Sequence, residues 1–404
     1  MSISGSAAGH DAGDSQHASQ LSGWPHSQFS RRRLALQFTG SGSEYFRIWI
    51  VNLLLCLVTV GLYWPFAKAR RLRYFYANTV IDEQALAFHG DPWLMFRGFI
   101  LMAVLSLAYG LAGKVSPALA LLAFVVLCVV WPALWQTSLK FRMANTSWRG
   151  LRFGFVGSRA GAYKALLPIY LPTLLMVAVQ LYFADQLQPV RGQRHEPGQA
   201  EFFVGLAMIV WTLLLPLGLA SIKRYQHGGY LYAGRRSQID LPTGRAYLIG
   251  LKTIGVMLLA LLLVLGCVML GAWLGGRLFG ASIVLFGAGV VFAYLSFFAV
   301  VAPYFAARSQ DLVWNATNAD GLQFESNLSY RALAWLTLKN WLLTLLTLGL
   351  YRPFAAVNTA RMRLEAVSVM ADGDPMDLVT MHRAEFKDAS GEAAGDFFGI
   401  DLGL

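Results

Sequence analysis

Residues 52–73 read NLLLCLVTVGLYWPFAKARRLR and residues 340–361 read NWLLTLLTLGLYRPFAAVNTAR; aligned without a gap, 12 of the 22 positions are identical. A shared T-x-G-L-Y-x-P-F-A inside such a match marks an internal duplication. Each copy runs from an apolar stretch through a glycine to a proline, and ends on an arginine. Gly61 and Gly349 permit the tight backbone turn that would break an apolar helix, and Pro65 and Pro353 are ordinary punctuation for a helix end. The pair predicts that segments 45–66 and 333–351 dip into an apolar medium and return, as re-entrant segments, with two additional full spans as the alternative.

Between the copies lie six longer apolar blocks, at about 93–113, 117–138, 164–184, 201–221, 247–272 and 281–305. Blocks of this length cross a hydrocarbon core of about 30 Å as helix. Across the 404 residues, 56% are hydrophobic and only 14% charged, too little polar surface to clothe a soluble core. The fold class read from this is an α-helical polytopic membrane protein with about six full spans plus the two flanking segments. Residues 1–33 read as a disordered polar tail, 34–370 as the membrane domain and 371–404 as a C-terminal tail.

The net charge of +11 is distributed in a way that sets orientation. One set of connections holds Lys68, Arg70, Arg71 and Arg73, then Lys140, Arg142, Arg149, Arg152 and Arg159, then Lys223, Arg224, Arg235, Arg236 and Arg245, then Arg308 and Arg331. The alternate connections hold Lys114, then Arg191 and Arg194, then Arg277. The richer side is cytoplasmic by the positive-inside rule. A nucleic-acid partner is not expected, because the charge is spread over short loops instead of gathered on one soluble domain. Eight plain spans would put both chain ends outside, against Arg31, Arg32 and Arg33 at one end and Arg352, Arg361 and Arg363 at the other. Dipping segments remove that conflict, and they spare Lys339 a place near the middle of a full span.

A wider pattern links the blocks. Pro65, Pro132, Pro216, Pro303 and Pro353 each lie near the C-terminal end of an apolar segment. Eight residues on come Arg73, Lys140, Arg224, Asp311 and Arg361, four of them basic. Asn78-Thr79 and Asn145-Thr146 follow the first two, and Asn315-Ala316-Thr317 follows Pro303. The text after each exit is aromatic and β-branched, with candidate turns near Asp82-Glu83, Arg149-Gly150, Gly234-Arg235 and Asp320-Gly321. These runs predict β-hairpins; RLEAVSVMADGDPMDLV from Arg363 is read as another hairpin, and RRLALQF near the N-terminus adds a strand. Emerging on one side, they would form a small cytoplasmic sheet that covers each hairpin's open edge.

At these residues the chain resembles a known family. FTGSGSEYF (38–46), NLLL…TVGLYWPFAKAR (52–70) and RYFYANT (73–79) are similar to the YjgN family of bacterial inner-membrane proteins, a domain of unknown function, and the late TLGLYRPFA agrees. Phe66 stands where the family favours Trp, and Asp82-Glu83-Gln84 lacks the family's hairpin Gly. The resemblance implies multi-pass location in the bacterial inner membrane and the architecture. It brings no catalytic residues.

Chemistry is sparse. The sequence has no G-x-S-x-G, Walker loop, H-E-x-x-H or C-x-x-C. Cys56, Cys128 and Cys267 lie far apart in apolar blocks, and His10, His17 and His26 are irregularly spaced in the polar tail, so no metal or other cofactor is expected. The apolar blocks carry no Asp or Glu at depth, which argues against proton coupling through buried acids. The chain therefore reads as no enzyme.

Two residue sets stand out instead. Asn52, Thr59, Gly61, Tyr63 and Pro65, with Asn340, Thr347, Gly349, Tyr351 and Pro353, form a structural motif around the proposed breaks. Asn52 and Asn340 need partners as buried amides, and Thr59 and Thr347 can cap the break. Arg70, Arg71, Arg73, Lys140, Arg142, Lys223 and Arg224 form a basic rim suited to anionic lipid headgroups. Paired broken segments point to transport or permeation of a small solute; the alternative is a structural or lipid-interacting protein. Membrane lipids are the expected partners, with a homo-oligomer and an unidentified solute left open.

Overall fold

A computed structural model describes residues 31–183, 198–277, 282–372 and 380. The tail histidines, Arg191, Arg194 and most of the C-terminal tail lie outside the described residues. Strand β1 (Arg31–Phe38) leads into helix α1 (Gly42–Val58), and α2 (Trp64–Ala77) returns to β2 (Thr79–Ile81). The unit then repeats. β3 (Gln84–Ala85) and β4 (Ala87–Phe88) lead into α3 (Pro92–Val115), and α4 (Pro117–Ala144) returns to β5 (Thr146–Trp148). β6 (Leu151–Arg152) and β7 (Gly154–Phe155) lead into α5 (Arg159–Tyr182), and α6 (Gln199–His227) returns to β8 (Tyr230–Tyr232). The fourth unit is β9 (Arg235–Ile239), α7 (Thr243–Arg277), α8 (Ser282–Asn315) and β10 (Thr317–Ala319). The fifth is β11 (Leu322–Ser326), α9 (Tyr330–Leu346), α10 (Arg352–Glu365) and β12 (Val367–Asp372).

Local chemistry explains why the units resemble one another. Ser41, Asp91, Ser158 and Ser329 cap the first helix of four units, each side chain accepting a backbone N–H. At the exits, Asn78 and Asn145 donate their side-chain amides to the carbonyls of Tyr74 and Phe141, both at 2.8 Å. The next residues, Thr79 and Thr146, donate their hydroxyls to Phe75 and Arg142, and Thr317 does the same to Val313. The recurring Asn-Thr text is thus a helix terminator that satisfies the last orphan carbonyls.

All strand pairings are antiparallel. One sheet runs β3-β2-β1-β12-β11-β10-β9-β8-β7 and the other β4-β5-β6. Only Leu86 separates β3 from β4, and only Phe153 separates β6 from β7. The N–H groups of these two residues donate to Thr79 and Thr146, both at 2.9 Å, bridging each gap. The two sheets therefore join into one closed ring; the sequence suggested a small sheet and did not specify closure. Closure removes exposed edges. The hairpin turns use left-handed backbone at Asp82 and Glu83 (φ 48° and 63°), Arg149 and Gly150 (50° and 78°) and Ala233 and Gly234 (48° and 73°). The third turn falls one residue earlier than its expected place. Asp82 is held by Arg32 and Arg149, which anchors a turn that lacks glycine.

The inside of the ring is filled. Leu34, Trp148, Val369 and Ala371 form a buried cluster against which Leu36, Ile81, Phe153, Tyr232 and Phe324 pack. β1 and β8 lie on opposite sides of the ring, yet residues of both belong to this one cluster, so side chains meet across it. Tyr232 lies 5.5 Å from Trp148 and 4.7 Å from Phe153, ring centre to ring centre.

The helices follow the same circle: each packs on the next in chain order, and α10 closes onto α1. Among the described residues, five stretches are long and apolar enough to cross a membrane: Pro92–Val115, Ala118–Ala144, Arg159–Tyr182, Gln199–His227 and Thr243–Leu270. The sixth apolar block falls in α8, a 34-residue helix. Leu261, Leu262 and Leu263 are 59%, 64% and 64% exposed, so α7 presents bare leucine on successive sides. Only lipid can cover such a helix, and the chain is a polytopic α-helical membrane protein.

The first and last units differ from the rest in height. α1 and α9 have 17 residues each and α2 and α10 have 14. At 1.5 Å per residue these reach about 25 Å and about 21 Å. The helices of the middle three units have 24 to 35 residues.

Candidate functional site

The duplicated motif forms two matching helical hairpins. Thr59 donates its hydroxyl to Leu55 O at 2.7 Å and accepts Tyr63 N–H at 3.0 Å. Thr347 donates to Leu343 O at 2.7 Å and accepts Tyr351 N–H at 2.9 Å. Gly61 and Gly349 take φ of 88° and 94°, and the residues before them, Val60 and Leu348, take 51° and 50°. Tyr63 stacks on Phe66 and Tyr351 on Phe354, both at 5.5 Å. Pro65 and Pro353 are fully buried at the starts of α2 and α10. Asn340 donates to Ala355 O at 3.4 Å and Thr359 Oγ1 at 3.2 Å, tying α9 to α10. Asn52 is equally buried, and Oδ1 of each asparagine has no partner among the described residues.

The basic residues separate into two groups by the direction they face. Arg73 donates to Gly90 O at 3.1 Å. Arg224 donates to Leu241 O at 2.6 and 3.1 Å and to Thr243 Oγ1. Arg361 donates to Gly40 O at 2.7 Å and Phe38 O at 3.3 Å. In each case the exit helix of one unit clasps the segment leading into the next unit, and Arg361 closes the circle from the last unit to the first. Asp311 makes the clasp with reversed polarity, accepting Ser326 Oγ at 2.8 Å and Leu328 N–H at 2.9 Å. Lys140 is exposed. Arg70 lies over the Tyr63 ring and Arg71 over the Phe75 ring, each at 5.6 Å.

The second group is linked by the interaction of its charges. Arg142 acts electrostatically on Lys68 and on Lys223, and Arg363 acts on Lys223. These four residues come from α2, α4, α6 and α10. Lys223 and Arg363 belong to units that are not neighbours in the circle, so they meet across its interior. The remaining exit helix, α8, supplies buried Gln310, whose Oε1 accepts from Arg363 Nε at 2.8 Å and whose Nε2 donates to Arg363 O at 2.9 Å. Burial raises the Tyr230 hydroxyl pKa, with Arg142 pulling it back and Tyr76 pushing it further up. Among the described residues, none of the four cations forms an ion pair with a carboxylate.

Arg142 and Lys223 belong to the rim expected from sequence; Lys68 and Arg363 do not. They lie three, ten, seven and ten residues after their prolines, in the order Lys68, Arg142, Lys223, Arg363, and Gln310 lies seven after Pro303. At about 100° per residue those offsets share an arc of roughly 60°, whereas the clasp position at offset eight points more than roughly 100° away. The signal was present in the sequence as a helical face and hidden by the varying offset. The rise between offsets three and ten spreads the cations over about 10 Å of the axis. Beside Lys68, a cleft of about 270 Å³ between α2, α3 and α4 is lined by Trp64, Phe99, Trp131, Leu134, Trp135 and Ser138.

A closed circle of helical hairpins with bare apolar outer faces defines an integral membrane protein. Residues 33–397 match the family described as bacterial protein of unknown function (DUF898), and the chain belongs to that family. It is 24% identical over 368 residues to inner membrane protein YjgN of Salmonella typhimurium, covering 85% of this chain and 90% of that protein. It is 30% identical over 201 residues to inner membrane protein YjgN of Escherichia coli, covering 48% of this chain and 46% of that protein. The chain is thus a multi-pass protein of the bacterial inner membrane and a member of the YjgN family. No solved structure matches it.

Proposed function

We propose that this protein is a non-catalytic membrane binding protein that holds an anionic ligand on the column formed by Lys68, Arg142, Lys223 and Arg363. The observation that carries the reading is the mutual interaction of four cations from four units, none of them in an ion pair with a carboxylate among the described residues. Like charges held close to one another repel. An arrangement that concentrates such repulsion inside a fold is relieved by an anion.

In this reading α3 to α8 are six full spans, and the hairpins α1–α2 and α9–α10 are re-entrant. Their helices, at about 25 Å and about 21 Å, fall short of a hydrocarbon core of about 30 Å. The strand ring then lies in the cytoplasm with both tails. Passage of a small solute, which the broken repeats also allow, would require the apolar core of the strand ring to open. Membrane lipid remains the expected surrounding partner.

The test is anion-dependent stability. Purified protein in uncharged detergent at low salt should unfold at a higher temperature as inorganic phosphate is titrated. The double variant Arg142→Gln, Lys223→Gln should show no such gain. Equal phosphate dependence in the two proteins would refute the reading.

A further inference from the structure

Three features of the helix circle bear on what kind of anion reaches the column. The first is the wall. The short hairpins α1–α2 and α9–α10 are neighbours, because α10 packs against α1. Low wall is therefore contiguous with low wall, and the circle has one broad notch instead of two separated dips. The hairpin tips are bare and apolar: Val60 and Leu348 are 91% and 94% exposed.

The second feature is the floor. Beneath the helices the strand ring is packed solid by Leu34, Trp148, Val369 and Tyr232 with their neighbours. A water-soluble anion arriving along the axis from the strand side meets an apolar core. The third is the cleft of about 270 Å³ beside Lys68. It starts at Trp64, where half-height α2 begins, and runs along the taller α3 and α4 past Phe99, Met102, Trp131 and Trp135. Apart from Lys68 and Ser138 its wall is apolar or aromatic. A cleft with a cation at one end and aromatic walls along its length fits an amphiphile: a charged head at the lysine and a chain on the rings.

From these we infer that the ligand of the column is a membrane lipid with an anionic phosphate headgroup, which enters sideways over the notch and lays an acyl chain in the cleft between α2, α3 and α4. This deepens the proposed anion binding and rests on it. The axial spread of the cations suits a headgroup that enters at Lys68 and settles toward Lys223, Arg142 and Arg363. Free phosphate shares the head chemistry and lacks the chain, so the two sources separate experimentally.

The experiment uses the full-length protein in mixed micelles. It compares phosphatidylglycerol, phosphatidylcholine and inorganic phosphate as stabilising ligands, with native mass spectrometry counting retained lipid. Phosphatidylglycerol should bind at least about tenfold more tightly than phosphatidylcholine, since each basic group near an anionic head contributes roughly fivefold. Ser138→Leu, which fills the cleft, should weaken phosphatidylglycerol binding while leaving the response to inorganic phosphate intact. On the wild-type fold, a brominated acyl chain on phosphatidylglycerol should quench tryptophan fluorescence, and Trp131→Phe should remove part of that quenching. If phosphate stabilises the protein but phosphatidylglycerol does no better than phosphatidylcholine, and bromine quenching is the same for both lipids, the lipid inference is overturned while anion binding stands. If neither phosphate nor phosphatidylglycerol stabilises, both are overturned.

Discussion

Replacing Arg361 by methionine should open the circle where its last unit meets its first. Arg361 makes two hydrogen bonds to backbone carbonyls, at 2.7 Å to Gly40 and 3.3 Å to Phe38. Bonds to a charged donor contribute about 1.5–3 kcal/mol each. The longer bond and the partial exposure of Arg361 bring the loss below the sum of two such bonds, to about 2–3 kcal/mol in total, and the same discount applies to its equivalents. Methionine keeps most of the aliphatic stem, so packing changes little. The equivalent positions supply internal controls. Arg224 makes three bonds, to Leu241 O twice and to Thr243, and its methionine variant should lose about 3–4 kcal/mol. Arg73 makes one, at 3.1 Å, and should lose about 1 kcal/mol. Lys140 occupies the same offset from its proline and lies exposed, so Lys140→Met should stay within about 0.5 kcal/mol. Unfolding by SDS titration in mixed micelles reads all four on one scale. Should Lys140→Met cost as much as Arg361→Met, the arginine–carbonyl clasps are not what holds neighbouring units together.

Gly61→Val and Gly349→Val should each destabilise by about 1–2 kcal/mol, because both glycines sit at positive φ where a branched side chain is strained, although nothing crowds the added Cβ; equal stability in the same titration would place the turn elsewhere. Arg142→Gln should stabilise ligand-free protein by about 1–2 kcal/mol through relief of like-charge repulsion, while abolishing stabilisation by added anion. A purely structural arginine would show loss of ligand-free stability instead, and thermal unfolding with and without phosphate separates the two. Reporters fused at residue 30 and residue 390 should both signal the cytoplasm; opposite or outward signals would restore full spans at the two short hairpins.

The hairpin breaks were legible in the sequence because their signal is local. Thr59, Gly61 and Pro65 act within a few residues of one another, through a cap, a left-handed turn and a helix start, and the same text recurs near residue 350. The strand runs were legible by composition, and the turns by Asp, Gly and Arg-Gly pairs. Closure was not legible. Whether the short strands form an open sheet or a circle depends on β12 finding β1 across most of the chain, a pairing that no local pattern encodes. Phe-x-Gly stands just before the first helix of three units, at residues 38–40, 88–90 and 155–157, and occurs elsewhere at 96–98, 203–205 and 397–399. In the three lead-ins the phenylalanine ring lies against the glycine, where an added Cβ would approach it to 2.9, 2.4 and 2.5 Å respectively. The triplet by itself therefore does not mark the module; the packing of ring on glycine does.

The basic residues show why a one-dimensional reading merges two roles. Counting from each proline, offset eight gave a regular series, and its residues were grouped with their neighbours Arg70, Arg71, Arg142 and Lys223 as one basic rim. On a helix, that offset and the offsets of three, seven and ten occupy different faces. The first face meets the neighbouring unit, where a fixed backbone carbonyl demands a fixed position, so Arg73, Arg224 and Arg361 keep strict register. The second faces a shared interior, where a long flexible cation can reach the axis from any of several turns, so register is free to drift between Lys68, Lys223 and Arg142. Strict spacing thus marks bonds within the protein, and loose spacing on a common face marks groups that converge on something in the middle. The two roles can be broken independently: loss of a clasp should lower stability without changing the phosphate response of the remaining folded protein, and loss of a column cation should do the reverse.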